Sequence, residues 1–484
     1  MNSTFSSGSI HFLKSKRDFI IPAFAIVFVH FISSISGFHS FSLATYPQIV
    51  QNQFPAGTPF WEMLFYFHGN PPLLSLIHKI AESLFGSKSY LFFDLVLPWL
   101  HVCSFFFFKS AISNFGLKVR SIWSLILFLN PLIFIYFKYP FYSTFLFFTN
   151  AWLLYLFSKL KFEPKLIFGI ASLFSIACLL RASYLPMVIF PFLVWLSSEK
   201  NFRTIFILFL ILLPPLSWQF KNYVIVGKFS SSSWIGMNVA RCHKPWYVHN
   251  QLVDFIPPFS SPASYFKLLG KEPQIKKVKA EKNYYLSQNN LNNSVIPIVS
   301  DLYFQSMLKD FSPIWSFNSF LNGLIYFGKS PANFNHLLDV KEGKWMNKLP
   351  PFCKDFFDWT GKRHEPFVAL FVVNGAWDLA SSRAELLSQI TIYTLFYPFL
   401  LLFFSFYFFK MSKTEKAVFI LTTFFFFVYC TVDVFEANRM RFEIEVFFYF
   451  LAILFFKKMG KRNSNRRSNS AFQNIEKGSS SVPI

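Results

Sequence analysis

The sequence predicts an all-α polytopic membrane protein with about ten transmembrane helices. It also predicts an amphipathic helix in the first outer loop and a mixed domain built from one large outer loop. Three observations carry this. Apolar residues come in runs of about twenty, the length that crosses a bilayer core. Of the 484 residues 53% are hydrophobic and 14% charged, against about 25% charged in soluble domains. Basic residues gather at the ends of the apolar runs. The formal net charge of +22 would point to nucleic acid in a soluble protein. Here it sets topology, and nucleic acid is not an expected partner. The 72 Phe read as lipid-facing and helix-packing surface rather than a binding box.

Residues 1–18 form a short basic cytoplasmic N-terminus. Phe19–Ser36 is the first span, a retained signal anchor, since nothing like a small-residue cleavage site follows it. The outer loop 37–89 comes next. Within it, Phe67-His68-Gly69-Asn70-Pro71-Pro72-Leu73 is a turn stiffened by two prolines that favour a helix start. Pro72 opens an amphipathic helix with Leu73, Leu76, Ile77, Ile80 and Leu84 on one stripe. Such a helix should lie in the membrane interface and hold Glu62 and His68 just above the bilayer.

Further spans are expected at Tyr90–Phe108, Ser121–Phe137, Phe141–Phe157, Leu166–Tyr184, Leu185–Leu196, Thr204–Trp218, Leu386–Phe409, Ala417–Val432 and Phe442–Phe456. The Leu185–Leu196 run is short enough for a tilted or re-entrant piece. With a cytoplasmic N-terminus, every inner loop is basic. The membrane domain then covers 19–219, the large outer loop 220–385, the C-terminal spans 386–456, and a basic, polar tail 457–484. The five cysteines show no metal-binding spacing. Cys103, Cys178 and Cys430 fall in spans and read as packing residues. Cys242 and Cys353 share the large loop and are a candidate disulfide if that loop faces an oxidising compartment.

Ionisable residues at membrane depth are functional candidates by default. Three groups face outward: His39, Tyr46, Glu62 and His68 in the first loop; Arg181 at the end of the fifth span; and Asp433, Glu436, Arg439 and Arg441 in the last outer turn, followed by Glu443 and Glu445. Guanidinium forks suit phosphate, and a carboxylate or imidazole suits proton removal from a hydroxyl. Each also has a purely structural reading, as a snorkelling anchor or an ion-pair partner.

The turn His68-Gly69-Asn70-Pro71-Pro72-Leu73 with Leu84-Phe85-Gly86-Ser87 resembles the HxPPL…lfG.s stretch of GT-C glycosyltransferases. The nearest branch is that of protein O-mannosyltransferases and aminoarabinose transferases. Leu213-Pro214-Pro215 through Lys221-Asn222-Tyr223 to Gly236-Met237-Asn238 is similar to that branch's exit into its large outer loop, and Leu180-Arg181-Ala182-Ser183 with Pro186 to its R.t..l.p span. The resemblance implies transfer of a sugar from a polyprenyl-phosphate donor to a glycan, lipid or protein acceptor. Transfer would occur on the outer face, by inverting displacement. It departs at one place. The family's first-loop acid precedes a Tyr, and here the segment reads Ser40-Phe41-Ser42-Leu43-Ala44-Thr45-Tyr46.

The expected roles are therefore Glu62 as base, with an acid from Asp433 or Glu436, or His68, as the alternative base, and His68 otherwise orienting donor or acceptor. Tyr46, Arg181, Lys221, Asn222, Glu436, Arg439 and Arg441 would bind substrate. No cofactor is expected; a divalent ion stays open, because no ligand cluster marks a site. Two other readings stand beside this one: a non-catalytic subunit that binds lipid-linked glycan, and a transporter or flippase of an amphiphilic lipid. The setting is a bacterial inner membrane, with the endoplasmic reticulum as the alternative.

Overall fold

The computed structural model describes residues 6–37, 39–40, 59–117, 119–159, 164–189, 202–227, 229–233, 235–236, 392–432 and 440–460, with scattered positions between 300 and 327. The described residues form helices and no strand. In chain order these are α1 (Ser6–Ile35), α2 (Phe60–Tyr66), α3 (Leu73–Phe85), α4 (Tyr90–Asn114), α5 (Ser121–Phe128), α6 (Pro131–Tyr136), α7 (Tyr142–Ser158), α8 (Pro164–Leu180), α9 (Phe202–Val226), α10 (Ile392–Tyr407) and α11 (Lys413–Val432). Residues 440–460 form α12. Among the described residues, three stretches are long and apolar enough to cross a membrane: Tyr90–Asn114, Arg203–Ile225 and Lys413–Thr431. Phe19–Ile35, Lys165–Leu180 and Leu395–Lys410 are shorter apolar helices.

Two expected spans differ from expectation. The run Ser121–Phe137 is not one helix but α5 and α6, broken before Pro131. Proline has no amide proton and crowds the preceding turn, so the ladder stops there. The break leaves the Phe128 carbonyl to accept from His101 Nε2–H of α4 at 2.9 Å. That bond fixes the His101 tautomer. Its Nδ1 is then the acceptor for His30 Nε2–H of α1, at 3.1 Å. The fifth span ends at Leu180 rather than Tyr184. Arg181 is extended, and Ala182–Val188 continues as a 3-10 helix. Of the short Leu185–Leu196 run, only the start falls within the described residues, and it belongs to this 3-10 segment.

The core is aromatic. α4 packs on α7 and α1, α7 on α8 and α11, and α8 on α9. Phe442 of α12 stacks on Tyr136 at 3.8 Å and on Phe147 at 4.8 Å. His101 stacks on Phe137 at 4.2 Å. Such pairs add about 0.5–1.5 kcal/mol each beyond their burial.

α3 begins after Pro72 and ends at Gly86, whose φ of +58° suits a residue without Cβ. It packs on α4 and α8 through Leu74, Ser75 and Ala81, all buried. The apolar stripe foreseen from the sequence divides: Leu73 and Ile77 pack on the core, while Ile80 and Leu84 face away from it. Ile80 is 52% exposed and Leu84 66%. Exposed apolar residues at the C-terminal end of the helix are what an interfacial helix needs to meet lipid.

Candidate functional site

Four polar centres lie near helix ends. The first is built on Arg181. Its guanidinium pairs with Glu443 of α12, a residue fully buried. The Glu443 carboxylate also accepts from Ser143 Oγ at 2.9 Å and from Tyr429 Oη at 2.8 Å. Asn150 donates to the Glu443 carbonyl and to Tyr184 Oη, both at 2.6 Å. The Arg181 guanidinium rests 4.7 Å from the Tyr142 ring centroid. This centre ties α7, α8, α11 and α12 together. Its cation already has its anion.

The second centre is Arg441. Its Nε lies 3.1 Å from Glu445, one turn on, and its Nη1 donates to the Phe327 carbonyl at 2.7 Å. Glu445 also accepts from Tyr397 Oη at 2.8 Å. Like Arg181, Arg441 is compensated from within the chain.

The third centre brings together three residues singled out from the sequence: His68, Lys221 and Asn222. α2 leads into the Phe67–Pro72 turn, and Met63 and Phe67 pack on Trp218 of α9. One turn past Trp218, the Lys221 ammonium lies 3.4 Å from that indole's centroid and donates to the Phe67 carbonyl. His68 Nδ1 is 2.9 Å from Ser233 Oγ, and the Ser233 amide donates to the His68 carbonyl at 3.0 Å. Trp218 Nε1–H donates to Ser231 O at 3.2 Å, and Asn222 Nδ2 to Ser230 O at 2.8 Å. Asn222 Oδ1 is buried and has no hydrogen-bond partner among the described residues. No ion pair joins Lys221 to a carboxylate among the described residues. Glu62 sits half-buried on α2.

The fourth centre was not foreseen. Asp94, in the first turns of α4, is met by the end of α1 and by the α6–α7 turn. Its Oδ2 is 2.6 Å from His39 Nδ1. Its Oδ1 accepts from the Ser40 amide and the Ser40 hydroxyl, each at 2.8 Å, and from Lys138 Nζ at 3.2 Å. Lys138 also donates to Ser34 Oγ at 2.8 Å. Burial pushes the Lys138 ammonium below its ordinary value, and the Asp94 carboxylate acts in the opposite direction. The available signal was a lone carboxylate inside an apolar run, Tyr90–Phe108, which is costly in lipid without partners.

α3 connects the third and fourth centres. Its N-terminus leaves the His68 turn. One turn further on, His78 contacts the Phe93 ring at 4.7 Å, beside Asp94, and donates from Nε2 to the Pro140 carbonyl at 2.9 Å. Burial pushes His78 down to about 4, against that hydrogen bond. It is a neutral donor at physiological pH.

Tyr46, Asp433, Glu436, Arg439, Cys242 and Cys353 lie outside the described residues. Among the described residues no group of His, Cys, Asp or Glu is arranged to hold a metal ion. Neither a protein-family model nor a curated protein nor a solved structure matches the chain.

Proposed function

We propose that the protein is a membrane glycosyltransferase of GT-C type that takes a sugar from a polyprenyl-phosphate donor. It would cross the membrane about ten times, with the four polar centres on the outer face of a bacterial inner membrane. The observation that carries this reading is Lys221. Its ammonium is half-buried at the outer end of α9, beside the His68 turn, without a carboxylate among the described residues. Removing an ion from water costs several kcal/mol unless an opposite charge replaces the lost hydration. A lipid phosphate supplies that charge. Arg181 and Arg441 each have a glutamate, so the phosphate role foreseen for all three cations concentrates on Lys221. Asn222 Oδ1, buried and unbonded among the described residues, offers an acceptor for a sugar hydroxyl. His68 is held by Ser233 in one orientation, as a positioning group requires. The exposed Ile80 and Leu84 of α3 would seat the helix against lipid beside the donor's polyprenyl chain.

The test is transfer of a labelled sugar from a panel of polyprenyl-phosphate donors by the purified full-length chain in nanodiscs. Wild type should turn over, and Lys221→Ala should bind donor at least about tenfold more weakly, the loss expected for one charge-assisted hydrogen bond. Donor binding without turnover would establish the glycan-binding subunit instead. No binding of any donor would remove the proposal.

A further inference from the structure

We infer that His39, oriented by Asp94, is the group that takes the proton from the acceptor in this reaction; the inference rests on the transferase reading above. Asp94 Oδ1 already accepts from the Ser40 amide, the Ser40 hydroxyl and Lys138, and Oδ2 from His39. The carboxylate side chain is 8% exposed and its ammonium partner 1%. A carboxylate so occupied is poorly placed to receive a further proton. Because an ionised carboxylate only accepts hydrogen bonds, the 2.6 Å contact places the imidazole proton on His39 Nδ1. The lone pair is then on Nε2, which has no hydrogen-bond partner among the described residues. The His39 side chain is 41% exposed, so its free edge is open to solvent and to a bound acceptor. A buried acid fixing the tautomer of an exposed imidazole is the arrangement that lets a histidine act as base and stabilises the cation it becomes. It also accounts for the first loop lacking an acid before Tyr46: the loop supplies the imidazole, and the acid comes from α4.

The step balances without a co-reactant. His39 Nε2 takes the proton of the acceptor hydroxyl as its oxygen bonds to the anomeric carbon. The bond from that carbon to the phosphate oxygen breaks, and its electron pair leaves with the phosphate. Asp94 offsets the imidazolium, and the proton then passes to water from the exposed edge. Asp94 and Lys138 are positioning residues.

The experiment compares wild type with His39→Ala and Asp94→Asn in nanodiscs, using a labelled-sugar polyprenyl phosphate that wild type turns over. Donor binding and turnover are measured separately, and added imidazole is titrated. His39→Ala should bind donor as wild type does and lose about 10²–10⁴-fold in turnover, with part restored by imidazole. Asp94→Asn should lose turnover without imidazole rescue. Nitrogen-15 histidine spectra should show the His39 proton moving from Nδ1 to Nε2 in that variant. Wild-type turnover in His39→Ala, or a loss that imidazole does not restore, overturns the inference and leaves the transferase class standing. Absence of turnover in wild type with every donor overturns both.

Discussion

Replacing Glu443 with Gln strips the Arg181 guanidinium of its counter-charge while leaving the shape of the site nearly unchanged. Both side chains are enclosed, Arg181 at 10% and Glu443 at 0% exposure, so water cannot repair the loss. Removing one partner of a buried pair costs about 3–5 kcal/mol, because a lone charge stays behind. The amide can still accept from Ser143 or Tyr429, which keeps the expected loss toward the lower end. Arg181→Met leaves the carboxylate alone with its two hydroxyl donors and should cost a similar amount. Arg181→Met with Glu443→Gln removes both charges and should cost much less than the sum, a coupling of at least about 2 kcal/mol in the double-mutant cycle. Reversible unfolding of the detergent-solubilised chain measures all four forms. Additive losses would show that Arg181 and Glu443 do not stabilise one another and would return Arg181 to the set of cations free for phosphate.

Lys221→Arg should retain more donor affinity than Lys221→Ala, and adding salt should weaken wild-type binding more than that of the alanine variant, both read from donor titrations. His78 has its pKa lowered to about 4 from an ordinary 6.5. Its contribution to stability is thus present above 6.5 and disappears as pH falls through about 4. The loss is at most about 3 kcal/mol, and unfolding curves of wild type and His78→Gln over that window measure it. Leu84→Cys at the exposed C-terminal end of α3 should react with a lipid-soluble maleimide and resist a water-soluble one in nanodiscs. Equal labelling by both would place the helix away from the bilayer.

Local chemistry made much of the fold readable. Pro72 and Gly86 mark the ends of α3, and long apolar runs mark α4, α9 and α11, because proline, glycine and hydropathy act within a few residues of themselves. The direction of the α3 stripe followed less simply. Periodicity defines a face, but Leu73 and Ile77 of that face pack on the core beside buried Ser75 and Ala81, and Ile80 and Leu84 turn outward. Contacts between distant residues were out of reach. Arg181 and Glu443 are 262 positions apart, and nothing near either one names the other. Arg441, by contrast, pairs with Glu445 four residues on, a spacing the sequence does offer. Asp94 was passed over because it falls inside an apolar run, although that setting was itself the clue.

The break between α5 and α6 has a consequence for biogenesis. His101 and His30 are polar weights on two early segments, and the carbonyl that anchors them, that of Phe128, belongs to a segment synthesised later. Until α5 has left the ribosome, the α1–α4 pair carries an imidazole chain without that anchoring carbonyl. The hypothesis is that these three helices are released into lipid as one unit. Crosslinking of arrested nascent chains to the insertion machinery tests it: chains ending before Ser121 should remain engaged, and chains long enough for α5 to have cleared the ribosome should be free.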